Sequence, residues 1–422
     1  MNVSTFKASV AFALALGLSQ SGYCNDEDAL SMVTDATPAA APASPLRLAF
    51  ELAAGRIDRR YGLPGQQVRR AAIDLRYSAA LSEAWRFSLS DRFDYLEPVP
   101  DGERFGQNSV REAFFSWQPA AGNDAVEIGR QNVRHGPALG FNPTDYFRAG
   151  ATQTITTADP VALRENRLGT WMLRGSRLGN GSGVSLAFAL RLVASGGVGT
   201  TDPNTNATNK RDRLFGTVSR KISEQTNVQV LVLAQRGLGS NVGANFSTLA
   251  TEQAVIYGEW SYGPSDNRPD RLLPPAQRAS LSFHQAALGA TYTLSSATAV
   301  TAEVEYNQAG LRRAHWAQAT LINPLAVQSW ALYLQASQEL LARSAVLVHV
   351  THKGLLHRQL DLSGYVRKNI DDRSTVAWVE LRYHWPSVDA VLQWQSTAGN
   401  FDSQNGSNPY RKFVQAVTTW YF

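Results

Sequence analysis

Cysteine is almost absent from these 422 residues: Cys24 stands alone, which excludes an internal disulfide and any cysteine-built metal site. Lysine is scarce as well, confined to Lys7, Lys210, Lys221, Lys353, Lys368 and Lys412, so the net charge of +5 rests on arginine. After the first twenty residues no apolar run approaches the ~20 residues that a membrane-crossing helix needs, which excludes a helical membrane bundle. There is no Gly-x-Ser-x-Gly elbow, no phosphate-binding loop and no dinucleotide fingerprint. His349, His352 and His357 sit at spacings that alternate across a strand rather than converge on a metal. The sequence is therefore read as a non-enzyme with no cofactor and no metal.

What is present begins with Lys7, an apolar run from Ala8 to Leu18, and the small residues Ser19, Ser21 and Gly22. That order predicts a secretory signal peptide over residues 1–24, with Cys24 inside the cleavage region. Residues 25–45 are acidic and then Ala/Pro-rich, a composition that builds no core and predicts a periplasmic tether. Export also removes nucleic acid as a partner for this basic chain.

From residue 46 to 422 the periodicity is two. Leu46, Leu48, Phe50 and Leu52 alternate with Arg47, Ala49 and Glu51. Trp85, Phe87, Leu89, Phe93 and Tyr95 alternate with Arg86, Ser88, Ser90, Arg92 and Asp94, with Asp91 falling on the apolar side. Val184, Leu186, Phe188 and Leu190 alternate with Ser185, Ala187, Ala189 and Arg191. Two-faced segments of this kind suit a strand with lipid on one side and a polar interior on the other. Short and long connections alternate along the chain, as a spanning barrel requires. An even strand number results if residues 323–342 form a helix within the long link Leu311 to Arg343, with Asn323-Pro324 as the start signal. The fold predicted is an all-β, transmembrane antiparallel β-barrel of about 18 strands, with an inward-folded loop and a short helix in an outer loop. Its last strand alternates to a terminal Phe422, which resembles the signal read by the outer-membrane insertion machinery. The location expected is the bacterial outer membrane, with lipid and lipopolysaccharide as neighbours.

The link from Arg134 to Glu165 is too long for a plain turn and mixes Pro137, Pro143, Phe147 and charged residues, which marks it as functional rather than disordered. It is expected to fold into the lumen as a constriction. Arg130, Arg134, Arg148, Arg164 and Arg167, with Glu112, Glu127, Asp145 and Tyr146, are the candidate pore-lining residues. Guanidinium groups stay charged when desolvated and bind carboxylate or phosphate bidentately, so an arginine-rich lumen favours anions. The same residues could instead serve as ion pairs that hold an inserted loop.

Ile128-Gly129-Arg130-Gln131, His135-Gly136-Pro137, Asn142-Pro143-Thr144-Asp145-Tyr146 and Asn369-Ile370-Asp371-Asp372-Arg373-Ser374 resemble elements of the alginate-export family of β-barrel channels. The resemblance implies an outer-membrane channel and an inward-folding loop; it names no substrate. The functional expectation is a porin-like channel for small anionic solutes or an acidic polymer. A structural barrel of an envelope secretion assembly, or a lipid-modifying barrel enzyme, are the alternatives.

Overall fold

A computed structural model describes residues 44–97, 105–119, 122–152, 155–193, 202 and 204–422. The expected signal peptide and nearly all of the expected tether lie outside the described residues. No helix among the described residues is long and apolar enough to cross a membrane.

Eighteen strands form one sheet in which each pairs antiparallel with its neighbours, and the first pairs with the last. They are β1 (Leu46–Arg59), β2 (Gln66–Ala80), β3 (Trp85–Glu97), β4 (Phe105–Trp117), β5 (Asp124–Gln131) and β6 (Thr170–Gly179). Then come β7 (Ser182–Ala189), β8 (Arg213–Lys221), β9 (Thr226–Gln235), β10 (Gly239–Thr251), β11 (Ala254–Pro264) and β12 (Ser282–Ser295). The circuit ends with β13 (Thr298–Asn307), β14 (Ser344–His352), β15 (Leu360–Asn369), β16 (Thr375–His384), β17 (Val388–Ala398) and β18 (Tyr410–Tyr421). Closure leaves no unpaired edge, the arrangement that lets a sheet stand without water on its backbone. At the seam Ala49 faces Tyr421, and Phe422 donates its N–H to the Leu48 carbonyl at 2.9 Å.

Alternation decides which side chains face the interior. In β7, Val184, Leu186 and Phe188 point out and are exposed, while Ser185, Ala187 and Ala189 point in and are buried. The same rule turns Glu303 and Glu305 of β13 inward and Val304 outward. One irregularity matters for the interior. Ser90 pairs with Glu112 and Asp91 with Val110, so Arg111 is the extra residue of a bulge. The bulge turns Arg111 and Glu112 both toward the interior, where strict alternation would expel one of them.

The long connections gather at one end and the short turns at the other. The connection after β13 was expected to hold one helix over residues 323–342. It holds two, α2 (Arg313–Ile322) and α3 (Pro324–Ala336), following α1 (Pro160–Glu165) earlier in the chain. Asn323 does start α3, its side chain accepting the Ala326 N–H at 3.0 Å with Pro324 in the first turn. The helix stops at Ala336 because Gln338 takes φ 52°. Leu340, expected inside the helix, instead packs on Phe141 and Ala345. Trp316 and Ala319 of α2 bury against Val327 and Leu334 of α3, with Leu273, Leu311 and Leu341. This apolar cluster is what makes the loop a packed cap. A last turn of helix, α4 (Gln404–Ser407), lies between β17 and β18.

Candidate functional site

The connection between β5 and β6 runs into the barrel, as the sequence led us to expect for Arg134 to Glu165. Two buried carboxylates on the far wall hold it. Glu303 accepts the N–H groups of Leu139 (2.8 Å), Gly140 (3.1 Å) and Phe141 (3.0 Å), and the Tyr257 hydroxyl at 3.0 Å. Glu259 accepts from Ala138 N–H (2.7 Å), Thr144 N–H (3.1 Å), the Thr144 hydroxyl (2.7 Å) and the Asn142 amide (3.1 Å). Successive N–H groups turned to one side form a concavity that suits an anion, here supplied by the barrel's own wall. Glycine is required at the two closest approaches. A Cβ at Gly136, whose φ is +91°, would lie 2.2 Å from the Glu259 carboxylate, and one at Gly140 would lie 2.3 Å from that of Glu305. Arg367 completes the clamp by bonding both Glu305 at 2.7 Å and the Gly140 carbonyl.

The loop arginines are spent on the loop. Arg167 grips Asp145 with two bonds (2.8 and 3.0 Å) and also donates to Asn132 and Val133. Arg148 bonds Glu339 at 2.8 Å and the Asn142 carbonyl. Arg164 donates to the carbonyls of Ala138 (3.2 Å), His135 (3.2 Å) and Gly136 (3.3 Å). Arg134 is buried with its charge beside Glu112, which itself accepts the Asn132 N–H at 3.3 Å. Burial would raise the Asp145 carboxyl, but Arg167 and Arg164 outweigh it and hold it below its usual value. Burial pushes His135 down to about 4, so it is neutral in the folded protein. The Tyr146 hydroxyl meets Ser261 at 3.0 Å. Beneath the loop Val133 and Phe147 pack on Met172, Phe215, Leu231 and Leu233 of the β6–β9 wall. At the level of the loop that side of the lumen is filled.

Two candidate positions need correction. Arg130 falls on the outward alternation with Val126 and Ile128 and donates to the carbonyls of Gly169 (3.0 Å) and Asn204 (3.1 Å), so it does not line the lumen. Parity across a strand, not distance along the chain, sets its side. Glu127 does face inward, yet it is buried and bonded to Arg174 at 2.7 Å. Glu303 and Glu305 are buried against the loop.

The sequence reading missed the β1–β4 wall. There Arg92 bonds Glu51 and Asp94, each at 3.0 Å, Arg70 bonds Glu51 and reaches Asp94 at 3.3 Å, and Arg111 bonds Asp74 at 2.7 Å. Arg111 also donates to Asn166, just past α1, at 2.7 Å. Arg76 lies 3.5 Å from Asp74 with almost half its side chain exposed. The alternation of Arg86, Arg92 and Asp94 in β3 was the signal that could have found this network.

A cavity of about 1230 Å³ opens at the short-turn end and extends to α1. Its deeper part is bounded by Val161, Ala162 and Glu165 of α1 on one side and by Glu51, Asp74 and Arg92 on the other. Six cationic side chains line it, Arg47, Arg76, Arg92, Lys221, Lys353 and Arg382. They face eight carboxylates: Glu51, Asp74, Asp159, Glu165, Glu224, Asp361, Glu380 and Asp389. No group of three or more His, Cys, Asp or Glu side chains among the described residues is arranged to hold a metal ion.

No family model matches the chain, and no curated protein matches it, so the likeness to alginate-export barrels rests on the short motifs alone. Solved structures do match. Acinetobacter baumannii OccAB1 superposes with a TM-score of 0.53 at 8% identity, covering 89% of this chain and 96% of that one. Salmonella typhi OmpF, solved in complex with daunomycin, gives 0.48 at 12% identity over 89% and 97%. A mutant of the Rh. blastica porin gives 0.43 at 12% identity over 89% and 99%. The OccAB1 match supports the closed barrel fold.

Proposed function

We propose that this protein is a bacterial outer-membrane channel, porin-like, through which small polar solutes diffuse past an inserted loop. The observation that carries the reading is the partition of the lumen. The loop is welded to the β11–β13 wall by Glu259 and Glu303 and to the β6–β9 wall by an apolar core, while a solvent cavity lined by strands from both walls remains on the short-turn side of the loop and beside α1. Barrels of 16 to 18 strands are wide enough to enclose water. The outward faces of leucine, valine and phenylalanine, and exposed aromatic residues near strand ends such as Trp85, Trp260 and Trp385, fit a lipid environment with interfacial girdles. Lipopolysaccharide around that belt, and the insertion machinery acting on the last strand, are the partners this reading requires.

Anion preference was the expectation from arginine content. With eight carboxylates against six cations along the cavity, and the loop arginines neutralised, a weakly selective pore is the better-supported version. The packed loop likewise favours small solutes over a polymer. Planar-bilayer recording of refolded protein tests the proposal. The expected result is stable, ohmic conductance with a reversal potential near zero in a salt gradient. Absence of conductance overturns the channel, and a strongly anion-selective potential restores the arginine filter.

A further inference from the structure

Residues 155–159 of the inserted loop lie against β17 and β18, and α1 then returns the chain to β4. That arm is held by two amides. Gln415 donates to the Thr156 carbonyl at 2.9 Å, and Gln393 donates both to the Thr157 hydroxyl at 3.3 Å and to Glu380 of β16 at 2.6 Å. Gln393 thus ties the arm to a carboxylate of the wall. Two residues on, Asp159 caps α1 by accepting the Val161 N–H at 3.0 Å, and it lines the cavity together with Glu380. The contrast with the other half of the loop is one of sign. There, carboxylates of the wall meet backbone N–H groups, whereas here Asp159 of the loop and Glu380 of the wall border one cavity, with Gln393 bridging Thr157 and Glu380.

We propose that Asp159, placed beside Glu380, makes the seating of the 155–165 arm pH-dependent, the arm lying on β16–β18 while Asp159 is protonated and lifting away when Asp159 is ionised. Arg382 offsets only part of the opposition, because its one charge is shared between Glu380 at 2.8 Å and Asp389 at 3.3 Å. The other groups near Asp159 are Glu165 on its own helix and Tyr365 of β15; β17 and β18 meet the arm through the amides of Gln393 and Gln415, and the Asp389 carboxylate of β17 is bonded to Arg382 and His384. Burial and the charge of Glu380 push the Asp159 carboxyl up to about 7. A carboxyl raised in the seated arm binds its proton there more tightly than in the lifted arm. Seating is therefore favoured below that pH and weakened as pH rises through it. The arm flanks the cavity, so its departure widens the passage, a small displacement gating the pore.

The inference uses the channel reading only for its electrical readout. A second readout is a nitroxide pair at Ala158→Cys and Leu392→Cys in a Cys24→Ser background, measured by double electron–electron resonance. We expect a narrow distance distribution at pH 5.5, a longer and broader one at pH 8.5, and a matching rise in mean conductance. Asp159→Asn keeps a good helix cap without a titrating group, so it holds the narrow, low-conductance state at both pH values. Glu380→Gln removes the opposing charge and leaves the arm seated to higher pH. Equal distributions at the two pH values in the parent, or an undiminished shift in Asp159→Asn, overturn the switch while leaving the channel standing. Loss of conductance with the distance shift intact overturns the channel and leaves the switch.

Discussion

Arg148, Arg164 and Arg167 on the inserted loop are enclosed by carbonyls and carboxylates of the loop and its wall, whereas Arg76 and Arg92 on the β2–β3 wall border the cavity. Both sets belong to one arginine-rich composition. The loop set substitutes for a hydrophobic core where a polar segment must be packed, and its multiple donors satisfy carbonyls that an inserted loop would otherwise bury unpaired. On the wall, Arg92 is buried among Glu51 and Asp94, while Arg76 keeps almost half its side chain in water and so shapes the field met by a solute. Arginine content by itself therefore does not predict selectivity. Where each guanidinium spends its donors does.

Breaking the loop set from its anchors has the largest expected effect. Glu259→Ala combined with Glu303→Ala removes the acceptors of most of the loop's first half, and each buried donor left unsatisfied costs about 1–3 kcal/mol. Single-channel recording should then show larger and noisier openings; unchanged conductance would mean that the loop does not set the width. A smaller effect comes from His135. Its pKa falls from 6.5 to about 4 on folding, so the unfolded chain binds the extra proton between those values and stability is lost as pH drops across that window. At about 1.4 kcal/mol per unit the loss approaches ~3 kcal/mol. Denaturant unfolding in micelles at pH 6.5 and pH 4 should show it, and His135→Gln should flatten it. The smallest effect belongs to the wall set: Arg76→Gln removes one exposed charge, shifts the reversal potential toward cations and leaves stability within about 0.5 kcal/mol.

The barrel was legible because period-two alternation is local. Leu46 to Leu52, Trp85 to Tyr95 and Val184 to Leu190 each carry it, and the expected alternation of short and long connections is found between the observed strands. The inward loop was legible from its length and its mixture of prolines, aromatics and charges. Its anchors were not, since Glu259 and Glu303 lie more than a hundred residues away and look like any carboxylates on a polar strand face. Arg130 was misplaced because proximity to the loop in sequence was given more weight than its parity with Val126 and Ile128. The helix pair went half seen. Asn323-Pro324 announces α3 plainly, whereas α2 begins at Arg313 with no side-chain cap to mark it.

The anchoring of the loop by Glu259 and Glu303 fixes an order of events in assembly. The loop belongs to the hairpin β5–β6, while its acceptors stand on β11 and β13, strands made later and on the far side of the ring. Contacts that distant in sequence form late, after the long chain between them has been drawn together. The loop thus has no carboxylates to close on until the sheet has curled, and its docking on them can serve as a late check that the two walls have met in register.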